Sequence, residues 1–152
     1  MALNPEFVGR SYAPDGSYVV GREKIREFAT AIDDASPVFH DVEAARAMGY
    51  ADLVAPPTFA AVLSLKASGR VIRDPQLGLD YSRVVHGEQR FVYSRPIVAG
   101  DELNVTTTIE TIRTMAGNDM ITTRGDVTTL DGEPVVTTYS LLISRGPDEE
   151  AS

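Results

Sequence analysis

Three side chains in the sequence are candidates for proton-transfer chemistry: Asp34, His40 and His86. A carboxylate and an imidazole are common partners in general acid–base catalysis, because together they can hold and pass on a proton near neutral pH. Each residue also has an ordinary structural interpretation. Asp33-Asp34 is a common turn pair, His40 fits the surface at the start of a helix, and His86 fits a polar position on a strand. Residue type alone therefore leaves a catalytic and a structural explanation open.

Several other kinds of reactive site are excluded by the composition. The chain has no cysteine, which rules out disulfides, zinc–thiolate sites, iron–sulfur clusters and cysteine nucleophiles. The two histidines do not lie at metal-ligand spacing, so we expect no metal. Glycine-rich phosphate loops are absent, and no serine lies in a nucleophile-elbow motif. We therefore expect no cofactor.

The elements that must position these residues are helical in the first half of the chain. Apolar residues recur at helical spacing over residues 21–32, after a short strand at 17–20. Asp41 can cap a short helix over residues 42–48. A Pro-Pro break precedes a mostly apolar helix predicted over residues 58–70. Because so few of its residues are polar, we expect this helix to be buried nearly all round.

The second half of the chain changes to strand patterns separated by hairpin signals. The predicted strands are residues 84–93, 102–114, 119–130 and 135–144. Helices followed by an antiparallel meander indicate an α+β fold, with the sheet wrapped around the long central helix. Such a sheet has an edge strand, so we expect dimerisation by edge pairing or by packing.

The composition is that of an ordinary acidic globular protein. The chain has 152 residues, 43% of them hydrophobic, and a formal net charge of -8. That charge argues against nucleic-acid binding, and no apolar run is long enough to span a membrane. The start of the sequence lacks a signal-peptide pattern. We expect one cytoplasmic domain over residues 1–146 and a flexible acidic tail over residues 147–152.

Three segments stand out in this order: Asp34-Ala35-Ser36-Pro37-Val38-Phe39-His40-Asp41, then Leu53-Val54-Ala55-Pro56-Pro57-Thr58-Phe59, and finally Phe91-Val92-Tyr93-Ser94-Arg95-Pro96-Ile97-Val98-Ala99-Gly100-Asp101-Glu102-Leu103. Together they resemble the MaoC-like hydratases and dehydratases. Within that family the chain resembles small actinobacterial proteins with a MaoC N-terminal-type dehydratase domain, like the acyl-binding subunit of mycobacterial (3R)-hydroxyacyl-ACP dehydratase. The resemblance implies a hot-dog fold, homodimers or heterodimers, and acyl-CoA or acyl-carrier-protein substrates.

The first motif departs from the family at its most important position. Active members carry Asp-x-Asn-Pro-x-His, and their Asp and His hold the water that is added to or removed from a 2-enoyl thioester. Asp34 stands at the Asp position and Ser36 where Asn is usual, but Phe39 stands where the His should be. A phenylalanine ring cannot transfer a proton. His40 comes one residue late, which turns its side chain to another direction.

The second departure lies at the entry to the central helix. Active members carry His-Gly there, and the Gly amide donates to the thioester carbonyl. This chain has Pro56-Pro57 instead, and proline has no N–H to donate. Losing one such donor typically costs a rate factor of about 100 to 1000. We therefore expect the chain alone to be a poor hydratase.

The resemblance offers a role for such a chain as the substrate-binding half of a dehydratase in fatty-acid metabolism. Its partner would be a MaoC-like subunit with the complete Asp and His pair. The expected substrate contacts are Ser36, Phe39, Pro57, Thr58, Phe59, Val62 and Leu63, although the apolar residues among them also fit plain core packing. The cations Lys66, Arg70 and Arg73 are candidates for contact with a carrier protein, or are simply solvated.

Two alternatives stay open on the sequence. One is a self-sufficient (R)-specific enoyl-CoA hydratase in which Asp34 works with His40 or His86. The other is a non-enzymatic module that binds acyl-CoA in the same tunnel.

Overall fold

The computed structural model describes residues 3–146. The predicted tail, residues 147–152, lies outside the described residues. Three α-helices precede four long strands: α1 (Arg22–Ala31), α2 (Val42–Ala47), α3 (Ala60–Ile72), β3 (Val84–Tyr93), β4 (Glu102–Met115), β5 (Asn118–Thr129) and β6 (Pro134–Ser144). Two short strands, β1 (Ser11–Tyr12) and β2 (Tyr18–Val19), come before α1. This order confirms the α+β architecture predicted from the sequence.

The long strands form one antiparallel sheet in the order β1-β4-β5-β6-β3, and β2 also pairs with β4. Short turns join β4, β5 and β6 because Gly117 and Gly132 adopt the positive φ values that tight turns require. β3 follows α3 and pairs with β6 at the end of this order. It is therefore an edge strand.

The long helix α3 packs against the sheet and begins later than the sequence pattern predicts. The Phe59 N–H donates to the carbonyl of Pro56, and the Ala61 N–H donates to that of Thr58. These tight bonds turn the chain immediately before the helix, so residues 56–59 form its entry. Its buried face includes Ala60, Leu63, Ser64, Ser68 and Val71.

The expectation that α3 is buried nearly all round is wrong for the described chain. The helix exposes Leu65 to 60% of its surface, together with Lys66 and Arg70. The neighbouring elements among residues 3–146 therefore leave part of the helix surface uncovered.

An ion pair fastens the segment before α3 to helix α1. Arg22 donates to both carboxylate oxygens of Asp52, with N···O distances of 2.9 and 2.7 Å. The hydrogen bonds from Arg22 lower the pKa of Asp52 from 3.8 to about 2. Asp52 therefore stays ionised in the folded chain at pH values where the unfolded chain takes up a proton.

We expect this ion pair to make the fold acid-sensitive in a defined window. Because the pKa of Asp52 is lower in the folded chain than in the unfolded chain, its ion pair stabilises the fold fully above about pH 4. That stabilisation is lost as the pH falls toward about 2. When the pH is lowered from about 5 to about 2.5, the free energy of unfolding should therefore fall less in Asp52→Asn than in wild type. Urea unfolding of both proteins at the two pH values measures the difference. Equal losses in the two proteins would contradict this linkage.

Candidate functional site

The Asp34–His40 segment is a tight loop that directs its side chains by backbone hydrogen bonds. The Asp34 N–H donates to the carbonyl of Ala29 at 2.9 Å, immediately after Asp33 adopts a φ of 57°. The Asp34 carboxylate accepts from the Ser36 N–H at 3.0 Å. A 3-10 turn, Pro37–Phe39, then completes the loop. The carboxylate is thus engaged in holding the turn.

Phe39 and His40 point in different directions from this turn. The Phe39 side chain is 9% exposed and belongs to the hydrophobic core around Phe59. The His40 Nε2 lies 2.8 Å from the backbone carbonyl oxygen of Asp34, and Arg26 donates to the His40 carbonyl. A carbonyl only accepts, so this bond requires the hydrogen of His40 on Nε2. The loop joins His40 to Asp34 through the backbone rather than through the carboxylate.

His86 lies on β3, beside a β-bulge between His86 and Glu88. His86 is exposed, and its Nε2 lies 3.3 Å from the Gln89 amide oxygen. Gln89 also accepts from the Ser140 hydroxyl at 2.6 Å. His86 therefore belongs to a polar cluster on the edge strand, with no hydrogen bond to Asp34 or His40 among the described residues.

A first cavity, here called the Phe39 cavity, has a volume of about 460 Å³. Its walls come from the turn before α2, from the entry to α3 and from the end of β3. They are formed by Val38, Phe39, Met48, Tyr50, Val54, Ala55, Pro57, Tyr93, Ser94, Arg95 and Pro96. Most of these side chains are apolar, and the volume is in the range typical of small-molecule sites. Asp34, His40 and His86 are not among them.

A second cavity, the His86 cavity, has a volume of about 550 Å³. It is lined by Thr58, Ala61, Leu65, Ile72, Tyr81, Val84, His86, Gln89, Phe91 and Leu142. Pro57 lines the first cavity and Thr58 the second, so the two cavities flank the entry to α3. Phe91 and Tyr93 stand on the same face of β3, one in each cavity, with ring centroids 6.5 Å apart.

The entry to α3 is held by a tyrosine from the sheet. The Tyr93 hydroxyl donates to the carbonyl of Pro57 at 2.5 Å. Burial raises the pKa of Tyr93 to about 12, and the nearby Ala60 backbone N–H opposes that rise. Tyr93 was not among the site residues predicted from the sequence. The sequence could have indicated Tyr93, because it lies two residues after Phe91 on a predicted strand and residues two apart on a strand share a face.

The remaining predicted contacts are divided among the core, the cavities and a small cleft. Phe59 is fully buried in the core, and Val62 packs against it. Ser36 lies in the Asp34 loop and lines neither cavity. Leu63 lines a cleft of about 150 Å³ that also includes Lys66, Arg70 and Arg73. Arg70 donates there to the carbonyl of Ala13 at 2.6 Å.

Residues 3–146 were also compared with the requirements of a metal site and of a membrane-spanning helix. Among residues 3–146, no cluster of three or more His, Cys, Asp or Glu side chains could hold a metal ion. No helix in the same range is long and apolar enough to cross a membrane.

Comparison with known proteins identifies the family. The family described as "FAS1-like, dehydratase domain region" matches residues 6–138. The chain belongs to this dehydratase family. A UPF0336 protein of Streptomyces avermitilis is 58% identical over 149 residues, covering 98% of this chain and 99% of that protein. A UPF0336 protein of Saccharopolyspora erythraea is 55% identical over 150 residues, covering 99% of this chain and 96% of its own length.

Solved structures of this dehydratase family share the fold. A MaoC-like dehydratase is 37% identical with a TM-score of 0.86; the match covers 93% of this chain but only 43% of that longer protein. The C-terminally truncated HadBC (3R-hydroxyacyl-ACP dehydratase) complex from Mycobacterium tuberculosis is 35% identical with a TM-score of 0.82, covering 90% of this chain and 96% of the matched chain. The predicted hot-dog fold and the resemblance to MaoC-like dehydratases are confirmed.

Proposed function

We propose that this chain is the substrate-binding subunit of a (3R)-hydroxyacyl-thioester dehydratase. The observation that carries the proposal is Phe39, which lines the apolar cavity at the position where active family members have histidine. The cavity accepts an acyl chain, but its Phe39 wall offers no group that moves a proton. A chain of this kind holds substrate and leaves water elimination to another subunit.

The candidate acid–base groups support the same division of labour. The Asp34 carboxylate accepts a hydrogen bond within its own turn, and His40 bonds to a backbone carbonyl. General acid–base catalysis requires these groups within hydrogen-bond reach of the reacting atoms. None of Asp34, His40 and His86 lines the Phe39 cavity. The self-sufficient hydratase hypothesis therefore has less geometric support than the subunit hypothesis.

The surface around β3 supports pairing with a second hot-dog subunit. Among residues 3–146, β3 pairs only with β6, so its other edge offers backbone hydrogen-bonding groups to another chain. Val85 and Val92 of this strand are exposed, as are Leu65 and Tyr81 beside it. Long edge strands with apolar neighbours favour pairing. The 35% identical HadBC structure is a complex of this kind of dehydratase, which favours a heteromeric partner.

The proposal is tested by measuring hydration of crotonyl-CoA by the purified full chain, by a MaoC-like subunit with the complete Asp-x-Asn-Pro-x-His motif, and by their mixture. We expect activity that depends on both proteins. Replacing the motif histidine of the partner by alanine should abolish it, whereas Asp34→Asn in this chain should leave it nearly unchanged. These two variants are matched, because each removes one acid–base group from one subunit.

Two other results would contradict the subunit proposal. Brisk turnover by this chain alone, lost in Asp34→Asn, would favour a self-sufficient hydratase. Thermal stabilisation by acyl-CoA without turnover in the mixture would favour a non-enzymatic acyl-CoA binding module.

A further inference from the structure

We propose that the Tyr93 hydroxyl binds the thioester carbonyl of the acyl ligand at the entry to α3, in place of the amide N–H that Pro57 lacks. This inference rests on the proposed function, since it requires an acyl thioester in the Phe39 cavity. It assigns the carbonyl contact to a side chain from β3 rather than to the backbone of the helix entry.

The first reason is that few backbone N–H groups at the start of α3 can donate to a ligand. Pro56 and Pro57 have no N–H, and the N–H groups of Phe59 and Ala61 already donate to carbonyls within the entry turn. No side chain caps the helix from the N-cap position, Phe59. The Tyr93 hydroxyl stands at this entry, where it donates to the carbonyl of Pro57. Tyr93 thus offers a side-chain donor beside the position where Pro57 has no amide hydrogen.

The second reason is that the Tyr93 hydrogen can change acceptor at low cost. The hydroxyl donates to the carbonyl of Pro57, an exposed residue whose oxygen can accept from water instead. A hydroxyl hydrogen rotates to suit its acceptor. Turning it toward a ligand carbonyl moves only the hydrogen, and the phenol oxygen stays at the entry to α3.

The third reason is the position and protonation of the phenol. Tyr93 lines the Phe39 cavity, where most of the other lining side chains are apolar. Its raised pKa of about 12 keeps the hydroxyl protonated, and so able to donate, throughout the neutral range. A donor placed in a mostly apolar site orients a ligand that carries one acceptor group. The thioester carbonyl is that acceptor in an acyl-CoA.

The test compares two ligands that differ only in the carbonyl. Hexanoyl-CoA has it, and the thioether S-hexyl-CoA lacks it. By calorimetric titration of the full chain, we expect Tyr93→Phe to weaken hexanoyl-CoA binding by about 5- to 10-fold, the usual value of one hydrogen bond. Binding of S-hexyl-CoA should not change. Tyr81→Phe, which removes a hydroxyl from an exposed tyrosine in the other cavity, should change neither affinity.

A second readout reports on the carbonyl itself. In the infrared spectrum of bound hexanoyl-CoA labelled with ¹³C at the carbonyl, the stretching frequency should be lower in wild type than in Tyr93→Phe. Equal frequencies, or an equal loss of affinity for thioester and thioether, would overturn the role of Tyr93 while leaving acyl binding intact. Failure of wild type to bind either ligand would overturn this inference together with the proposed function.

Discussion

Replacing Phe59 with alanine is expected to lower the free energy of unfolding by about 3–5 kcal/mol, the usual cost of truncating a buried phenylalanine. Phe59 is 0% exposed and meets the edge of Phe28, with ring centroids 5.4 Å apart. It also occupies the N-cap position of α3, between Pro57 and Thr58 on one side and the helix on the other. The void left behind would lie beside the entry to α3, which the Phe39 cavity and the His86 cavity flank.

Urea unfolding followed by circular dichroism measures this effect. The matched control is Val62→Ala, which shortens a partly buried neighbour and should cost about 0.5–1.5 kcal/mol. A Phe59→Ala protein within about 1 kcal/mol of wild type would contradict the packing of Phe59 between α3 and the core.

Asp101→Ala is expected to lower the free energy of unfolding by about 2–3 kcal/mol. Its carboxylate accepts two hydrogen bonds from Arg95, at 2.9 and 3.1 Å, and one from the Val98 N–H at 2.9 Å. The Asp101 side chain is only 13% exposed. Its loss removes both of these hydrogen bonds from a partly buried guanidinium and leaves the Val98 N–H without its acceptor. These bonds also close the turn after Tyr93, where Arg95 lines the Phe39 cavity.

The same arginine provides a matched comparison for this prediction. Glu133 accepts from Arg95 at 3.0 Å, but its side chain is 58% exposed. Because exposed ion pairs contribute little, Glu133→Ala should cost less than about 1 kcal/mol. Chemical unfolding of both variants gives the comparison. Equal costs would show that burial does not set the strength of these two ion pairs.

The order and type of the elements could be predicted because they depend on local patterns. The alternation of β3 and the turn residues at Gly117 and Gly132 predict the hairpin-connected strands within a few residues. Asp41 caps α2 as its residue type predicts, accepting from the Glu43 N–H. The apolar sequence of α3 predicts a helix but not how much of it the sheet covers. That coverage depends on neighbouring elements, and it left Leu65 exposed.

The sequence by itself determined which chemical groups this chain lacks where its family acts. Phe39 has no transferable proton and Pro57 has no amide hydrogen, whatever the fold. The tertiary structure alone decided what stands near them. Tyr93 reaches Pro57 across 36 residues, and His40 meets the Asp34 carbonyl rather than its carboxylate. Such contacts depend on the register of β3 and on the path of the loop, and a shift of one residue turns a side chain to the other face.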